Sequence, residues 1–285
     1  MKKLTLAASL LLSSVTAQAE LVGHWTFDNT LNDASGNGYH ALSPTPEDLS
    51  NLDSRYSDGL NPVTFETDTP AGSDYNHSVA FNSNSYLTAD LSWADAGAAD
   101  AFTISTWVKY DGESSFFIFD FDRSENLMLA FYEQRIFFSI TDNTGVTHDY
   151  HYDTHASAGN NDWNHLFVSY GSQNGLQFYE NGQRVFSDTY KGTLGKDRFD
   201  RYLTIGDGSE SGTLYGGHHV DYANGQLSDL AFWNHEYTKS QYVSNEIFLG
   251  DANLSNLQDV SAPVTALSGL ALCLLGFRQR RQTGA

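Results

Sequence analysis

The sequence contains a single cysteine, Cys273, and it lies within an apolar run near the C-terminus. Residues 20–259, which precede that run, therefore cannot form an internal disulfide bond. The loops of this region need another stabilising device. A bound calcium ion is a frequent substitute in oxygen-rich β-proteins with Gly- and Asn-rich loops, which makes Ca2+ a candidate cofactor.

Basic residues are also scarce. The chain has 15 lysines and arginines against 35 aspartates and glutamates, a net charge of −20. Residues 20–259 hold all 35 acidic residues but only 10 basic ones, a balance of −25, because five basic residues lie outside it: Lys2, Lys3, Arg278, Arg280 and Arg281. Such a charge argues against anionic lipid, and we expect no nucleic-acid partner. It suits divalent cations, although keeping an exported protein soluble is the commoner reason for an acidic surface.

Helical periodicity is largely missing before residue 238, and segments instead alternate apolar and polar residues between turn signals. This pattern predicts an all-β, antiparallel protein. In residues 102–109, Phe102, Ile104 and Val108 share one face of an extended strand while Trp107 lies on the other, as in a central strand.

Two local signals predict turns and caps. Asn181-Gly182 stands between two strand-like segments, which indicates a type I′ hairpin. Thr238-Lys239-Ser240-Gln241 has the form of a capping box, so one short C-terminal helix is expected there. Residues 43–76 hold four of the five prolines and should form a long irregular insertion.

The two ends of the chain differ from its middle. Residues 1–19 combine Lys2 and Lys3, an apolar stretch and a small-residue ending, as in a secretory signal peptide. We expect one globular domain over residues 20–250 and a polar linker over residues 251–259. Residues 260–285 contain an apolar segment that is short for a stable membrane span, followed by an arginine cluster, which favours a processing signal.

Six sequence blocks follow one another along the chain. The opening block LVGHWTFD (21–28) is followed by LNDASGNGYHA (31–41), a central strand (101–109), DWNH (162–165), an Asn-Gly hairpin (176–185) and the closing block GQLSDLAFWN (225–234). The order of these blocks resembles the LamG-like jelly-roll family of concanavalin A-like lectin/glucanase domains. The resemblance covers nearly all of residues 21–248 and implies a two-sheet antiparallel jelly-roll sandwich of the concanavalin A/laminin-G type. Such domains are mostly glycan- or protein-binding modules and adhesion units, many of them with bound calcium.

The tail resembles a PEP-CTERM sorting signal, with Val260-Ser261-Ala262-Pro263 at the place of the usual Val-Pro-Glu-Pro. The resemblance implies an exosortase-type sorting enzyme as a partner. It also implies export to the cell envelope, the cell surface or an exopolysaccharide matrix, with the C-terminal segment passing transiently through the inner membrane.

The family resemblance also implies where calcium would bind. It points to Asp28, Asn37 and Asp229, with Asp33 as a further ligand, because the first and last strands of this fold lie close together. The alternative is that residues 33–38 form only a turn that needs Gly and Asn at positive φ. The family usually has two adjacent acids in the closing strand, whereas here the first of these positions is Ser228.

A hydrolase is the enzymatic alternative. Residues 120–125 (DFDRSE) are similar to the Glu-x-Asp-x-x-Glu signature of retaining glucanases of this fold, but Asp120 stands where the nucleophilic Glu belongs. Retaining hydrolysis needs two carboxyl groups about 5 Å apart. The end of the motif also has the composition of a hairpin turn, which would carry Glu125 away from the strand.

Sugar binding generally requires exposed aromatic rings beside amides and carboxylates. Four of the five tryptophans lie in framework blocks and are expected in the core: Trp25, Trp107, Trp163 and Trp233. The candidate ligand-binding residues are therefore Trp93, Tyr215, His218 and Tyr222. A metal site at His148 and His151 is less favoured, because these residues point to opposite faces of an extended strand.

From the sequence we expect an exported, non-catalytic binding module, carbohydrate-binding or adhesive and calcium-assisted. A glycan or surface polysaccharide is the expected partner. A structural domain that recognises another surface protein is the alternative outside carbohydrate chemistry.

Overall fold

The structure is a computed structural model, and it describes residues 21–45, 61–82, 85–110, 115–122, 125–132, 135–153, 161–195, 201–209, 217–218, 224–238 and 241. The signal peptide (1–19), the linker (251–259) and the sorting tail (260–285) lie outside the described residues and stay predictions. Within these ranges no helix is long and apolar enough to cross a membrane.

The described residues form seventeen strands and one short helix. The strands are β1 (Leu21–Trp25), β2 (Ala41–Leu42), β3 (Thr64–Glu66), β4 (Ser78–Phe81), β5 (Leu87–Ser92), β6 (Phe102–Tyr110), β7 (Phe116–Asp120), β8 (Leu127–Tyr132), β9 (Arg135–Thr141), β10 (Thr147–Asp153), β11 (Trp163–Tyr170), β12 (Leu176–Glu180), β13 (Gln183–Asp188), β14 (Tyr202–Ile205), β15 (Gly208–Ser209), β16 (Gly217–His218) and β17 (Gly225–Trp233). The helix, α1, spans Trp93–Ala96.

The strands build two antiparallel sheets and a small ribbon. The eight-stranded sheet has the order β13-β12-β11-β6-β17-β4-β3, with β1 also paired to β17. The seven-stranded sheet has the order β10-β9-β8-β7-β14-β5-β2, and β15 pairs with β16. This confirms the predicted two-sheet jelly-roll sandwich, with β6 as a central strand.

The core lies between the two large sheets and is rich in aromatic rings. Phe102 and Tyr110 of β6 pack against Phe138 of β9 and Phe131 of β8, with ring centroids 6.1 and 4.9 Å apart respectively. Each buried ring of this size contributes roughly 2 to 3 kcal/mol through the removal of apolar surface from water. Because the alternate residues Phe102, Ile104 and Val108 point into this core, Trp107 and Lys109 must lie on the outer face of the sheet.

The predicted local signals are found. Asn181 and Gly182 have φ angles of 49° and 77°, as the type I′ turn requires. Oε1 of Gln241 accepts hydrogen bonds from the N–H (2.8 Å) and the hydroxyl (2.7 Å) of Thr238. Gln241 is itself helical, although the rest of that helix lies outside the described residues.

Two expectations need correction. The insertion at residues 43–76 is not irregular throughout, because β3 lies within it and pairs with β4. The helix α1 is not among the predicted elements, although Ser92 is its N-cap and the Ser92 hydroxyl lies 3.2 Å from the N–H of Asp95. The Ser-x-x-Asp spacing is the signal that would have found it.

Candidate functional site

The best candidate site lies on the outer face of the eight-stranded sheet. Three neighbouring strands, β11, β6 and β17, present two rows of paired residues there. The first row is Trp163, Lys109 and Gln226, and the second is His165, Trp107 and Ser228. Directly paired residues on one face have Cβ atoms about 5 Å apart, so these side chains form a contiguous surface.

Trp107 and Trp163 are partly exposed on this surface. Trp25 and Trp233 are buried, at 0% and 2% exposure, as predicted. The expectation that Trp107 and Trp163 also belong to the core is wrong. Both residues occupy the phase of their strand that points away from the facing sheet.

Asp68, from the segment between β3 and β4, joins the first row. Its Oδ1 accepts a hydrogen bond from Nε1 of Trp163 (3.3 Å), and its Oδ2 forms an ion pair with Nζ of Lys109. The hydroxyl of Ser78 lies 2.7 Å from the carbonyl oxygen of Asp68 and 3.1 Å from Oε1 of Gln226. We call Asp68, Trp107, Lys109, Trp163 and Gln226 the tryptophan patch.

The ion pair fixes the charge of the patch. Burial raises the pKa of Asp68, but the hydrogen bonds from Lys109 and Trp163 and the charge of Lys109 outweigh it, so the pKa lies below its usual value. Asp68 is therefore a carboxylate and Lys109 is its counter-ion at neutral pH. The two charges cancel, while the half-exposed carboxylate keeps acceptor sites toward solvent.

Within the second row, Trp107 packs against His165 of the neighbouring strand β11. The Trp107 indole meets the His165 imidazole edge-on, with centroids 5.0 Å apart. His165 is 1% exposed, and burial lowers its pKa to about 3, so the ring is neutral. Its Nε2 lies 3.0 Å from Oγ of Ser105, and the backbone N–H of His165 donates to Oδ1 of Asn181 at 2.9 Å.

Two polar groups of the second row have no hydrogen-bond partner among the described residues. They are the buried Nε1 of Trp107 and the buried Oγ of Ser228. Trp107 and Ser228 are directly paired between β6 and β17. A buried polar group without a partner carries a desolvation cost, and its burial keeps it out of direct reach of a ligand on the surface.

The residues predicted as calcium ligands do not form one ligand set. Oδ1 of Asp33 accepts from the N–H groups of His24 (2.9 Å) and Ser35 (2.8 Å), and Oδ2 accepts from the N–H of Tyr39 (3.0 Å) and the hydroxyl of Ser35 (2.7 Å). Burial raises the pKa of Asp33, but these bonds outweigh it and hold the pKa below its usual value. Asn37 uses its side-chain amide to donate to the carbonyl oxygens of Leu21 and Val22.

The other two acids also have partners within the protein. Oδ1 of Asp28 lies 3.0 Å from Nδ1 of His77, and Oδ1 of Asp229 lies 2.6 Å from Nε2 of His24. Within the described ranges, no group of three or more Asp, Glu, His or Cys residues is arranged to hold a metal ion. The four residues therefore do not fit a shared calcium site in this arrangement, and calcium binding stays a prediction.

The prediction that Trp93 is an exposed ligand-binding ring is wrong. Its side chain is 9% exposed and packs edge-on against Phe121, with ring centroids 5.4 Å apart. Trp93 is the first residue of α1, and the Ser92 cap turns the chain so that this ring enters the core. Tyr215 and Tyr222 lie outside the described residues. Only the backbone of His218 is described, paired with Gly208.

The hydrolase-like motif lies on the other sheet. Asp120 ends β7, and its Oδ1 accepts the N–H of Asp122 at 2.7 Å. Asp122 has a φ of 71° and forms an ion pair with Arg201 at 3.0 Å. The N–H of Glu125 donates to the carbonyl oxygen of Asp122, which confirms the predicted turn. All three carboxylates are buried, at 2%, 3% and 8% exposure.

Comparison with known proteins agrees with this fold. A laminin G-type model of the concanavalin A-like lectin/glucanase superfamily matches residues 81–241, more than half of the chain. No curated protein matches the sequence.

Similar solved structures include three toxin domains. The receptor binding domain of botulinum neurotoxin C/D mosaic serotype has 13% identity and a TM-score of 0.55, covering 82% of this chain and 52% of that one. The binding domain of Paraclostridial Mosquitocidal Protein 1 has 12% identity and a TM-score of 0.57, covering 82% and 55%. The binding domain of botulinum neurotoxin DC, in complex with rat synaptotagmin II, has 13% identity and a TM-score of 0.53, covering 81% and 52%.

The chain spans about half the length of these structures, and at such low identity the likeness shows the fold alone. The superfamily match, by contrast, covers the central strand β6, the Asn-Gly hairpin and the closing strand β17. By this match and by its two-sheet sandwich, the chain belongs to the concanavalin A-like lectin/glucanase superfamily.

Proposed function

We propose that the protein is a non-catalytic carbohydrate-binding module whose ligand lies on the tryptophan patch. The observation that carries this proposal is the placement of two partly exposed indole rings, Trp107 and Trp163, beside the Asp68–Lys109 ion pair. A sugar presents apolar C–H faces that stack on such rings. Its hydroxyl groups both donate and accept hydrogen bonds, and the patch offers partners for both.

The polar groups around the rings suit neighbouring hydroxyls of a pyranose. Asp68 supplies an acceptor, Lys109 a donor, and Gln226 an amide that can do either. Rings fixed on adjacent strands lose little conformational entropy on binding, which favours a rigid ligand such as a sugar ring.

The charge of the patch favours a neutral glycan over an acidic one. Asp68 already balances Lys109, and the whole chain has a net charge of −20. A uronate or sulfate group would approach against this field and find no free cation in the patch. We therefore expect neutral hexose polymers to bind in preference to uronic acid polymers.

Several features support a role without catalysis. Glycoside hydrolysis needs two carboxyl groups facing each other across one bond. The tryptophan patch contains a single carboxylate, Asp68, and it is held in an ion pair. The acids of the glucanase-like motif lie on the opposite sheet, where Asp122 pairs with Arg201. The toxin relatives are binding domains by name, one of them in complex with synaptotagmin II, which supports a binding role for this fold.

The proposal also includes the localisation of the protein and assistance by calcium. The signal peptide over residues 1–19 would export the protein, and the tail over residues 260–285 would let an exosortase-type enzyme place it at the cell surface or in an exopolysaccharide matrix. Calcium assistance is part of the proposal without an assigned site, since the four predicted ligands all have hydrogen-bond partners within the protein.

A glycan array tests the function. The purified full chain is screened once with calcium and once with excess chelator, on neutral and uronic acid oligosaccharides. We expect binding to a neutral glycan that falls about tenfold or more in Trp163→Ala and Trp107→Ala. Val146→Ala is the control and should bind like the wild type. Val146 is exposed in the turn before β10, which belongs to the other sheet. Absence of binding to any glycan in both buffers would overturn the proposal and favour a protein partner; selective binding to acidic glycans would overturn its charge argument.

A further inference from the structure

The strand β10 forms one end of the seven-stranded sheet and has an unusually regular edge. All seven of its residues, Thr147–Asp153, pair with β9 without a shift in register. The other end strands described are less suited to accepting a partner. β2 and β3 are only two and three residues long. The pairing of β13 shifts between Phe178 and Tyr179 of β12, and that of β1 shifts between Leu21 and Gly23.

Long, regular edge strands are exceptional in β-proteins. Natural sheets normally shorten their edges, bend them with bulges, interrupt them with proline or place charged side chains on them, because a straight edge pairs readily with another strand. Of these devices β10 has only charged side chains, Asp149 and Asp153. Among the described strands it has one neighbour, β9.

The two faces of β10 differ. Thr147, Asp149, His151 and Asp153 are exposed, whereas His148, Tyr150 and Tyr152 are half-buried. Tyr150 packs against Phe186 at 5.1 Å, and His148 lies 3.2 Å from Oδ2 of Asp142. A strand that joins this edge would therefore meet the exposed row Thr147, Asp149, His151 and Asp153 on one side of the sheet.

We propose that β10 pairs with β10 of a second copy of this chain, antiparallel and about a two-fold axis at Tyr150. In this register Asp149 of each copy lies opposite His151 of the other, and Thr147 lies opposite Asp153. The strand is thus complementary to itself, as an interface with two-fold symmetry requires. Each acid–histidine contact occurs twice.

The exposed row selects this register over its neighbours. An axis at Asp149 would place that residue opposite itself, and an axis at His151 would place Asp149 opposite Asp153. Like charges directly opposite each other destabilise a strand pair, and opposite charges stabilise it. The axis at Tyr150 avoids every acid–acid pair in the row.

The overall charge limits the strength of this association. Two copies with a net charge of −20 each repel one another at long range. Salt screens that repulsion, so the dimer should become tighter as ionic strength rises from low to physiological values. The tryptophan patch lies on the other sheet, so the dimer leaves it accessible.

Sedimentation equilibrium of the full chain over a range of concentrations tests the pairing. We expect a reversible dimer whose dissociation constant rises about tenfold or more in His151→Asp, because two acid–acid pairs replace two acid–histidine pairs. Asp149→His should weaken it similarly. The double variant Asp149→His with His151→Asp restores opposite partners and should restore the dimer.

Asp90→His provides the control, since Asp90 is exposed on β5 and its substitution changes the net charge as Asp149→His does. It should leave the dissociation constant unchanged. Recovery of the dimer in the double variant separates the pairing from any folding defect of the single ones. A wild-type chain that stays monomeric at every concentration, or a double variant as weak as the single ones, would overturn the proposal.

Discussion

The indole of Trp107 stands edge-on to the imidazole of His165, which is fully buried and uncharged. Protonation of His165 would place a buried positive charge next to the patch, which is costly. The protonation state of His165 therefore affects the stability of the tryptophan patch, on which the ligand is proposed to lie.

This coupling predicts a specific pH dependence of stability. The pKa of His165 is about 3 in the folded protein, against 6.5 for a histidine that is exposed to water, as in the unfolded chain. The unfolded state therefore binds the extra proton between these values, so the free energy of unfolding is highest above pH 6.5 and falls as pH drops toward 3. One such group contributes a slope of at most about 1.4 kcal/mol per pH unit.

Urea unfolding of the wild type and of His165→Gln at pH 7 and at pH 5 measures this contribution. The variant should lose less stability between the two pH values than the wild type does. His151→Gln, which removes an exposed histidine, is the control and should behave like the wild type at a protein concentration low enough for both chains to be monomeric. Equal pH dependence in His165→Gln and the wild type would show that His165 is not held neutral.

The sequence suggests Trp93 at the surface and Trp163 in the core, but the structure shows the reverse. Substitution of Trp93 should therefore mainly affect folding, and substitution of Trp163 mainly ligand binding. Trp93→Ala removes a core ring and should cost about 3 to 5 kcal/mol of unfolding free energy. Trp163→Ala removes a partly exposed ring and should cost about 1 kcal/mol. Thermal and chemical unfolding of both variants checks this order, and a larger loss in Trp163→Ala would contradict the assignment of the patch to the surface.

The carboxylate of Asp33 should contribute strongly to the stability of the loop that follows β1. Asp33→Asn replaces one of two charged acceptors that together take three backbone N–H groups and one hydroxyl. We expect a loss of about 2 kcal/mol at neutral pH. Because the folded pKa of Asp33 is lowered, this stability is present above about pH 4 and is lost as the pH falls toward the folded pKa.

Unfolding of Asp33→Asn in urea at pH 7, beside Asp90→Asn at an exposed position of β5 as a control, measures the difference. Adding calcium in both experiments tests the family expectation at the same time. A stability of Asp33→Asn equal to that of the wild type would mean that the four hydrogen bonds do not organise the loop.

How far the sequence leads depends on the range of the interactions involved. The hairpin at Asn181-Gly182 and the cap at Thr238 are predictable because the residues that define them are neighbours in the chain. The strand β6 is predictable because its alternation is local, and that alternation already places Trp107 opposite Phe102 and Ile104.

The site itself is not predictable in the same way. Asp68 and Trp163 are 95 positions apart in the sequence. No local sequence pattern in either segment predicts that contact. Trp93 resembles a surface residue in the sequence unless the short helix that turns it inward is recognised. Trp107 and Trp163 lie in framework strands, which favours a core position, but a framework strand has an outer face as well.

The most direct test of the account is a nuclear magnetic resonance titration of the five tryptophan indole N–H signals with the neutral oligosaccharide found on the array, assigned through single Trp→Phe variants. We predict that the signals of Trp107 and Trp163 shift in proportion to ligand binding, while those of Trp25, Trp93 and Trp233 stay in place. Shifts confined to the three buried tryptophans, or binding without any change at Trp107 and Trp163, would contradict the central claim that the tryptophan patch is the ligand site.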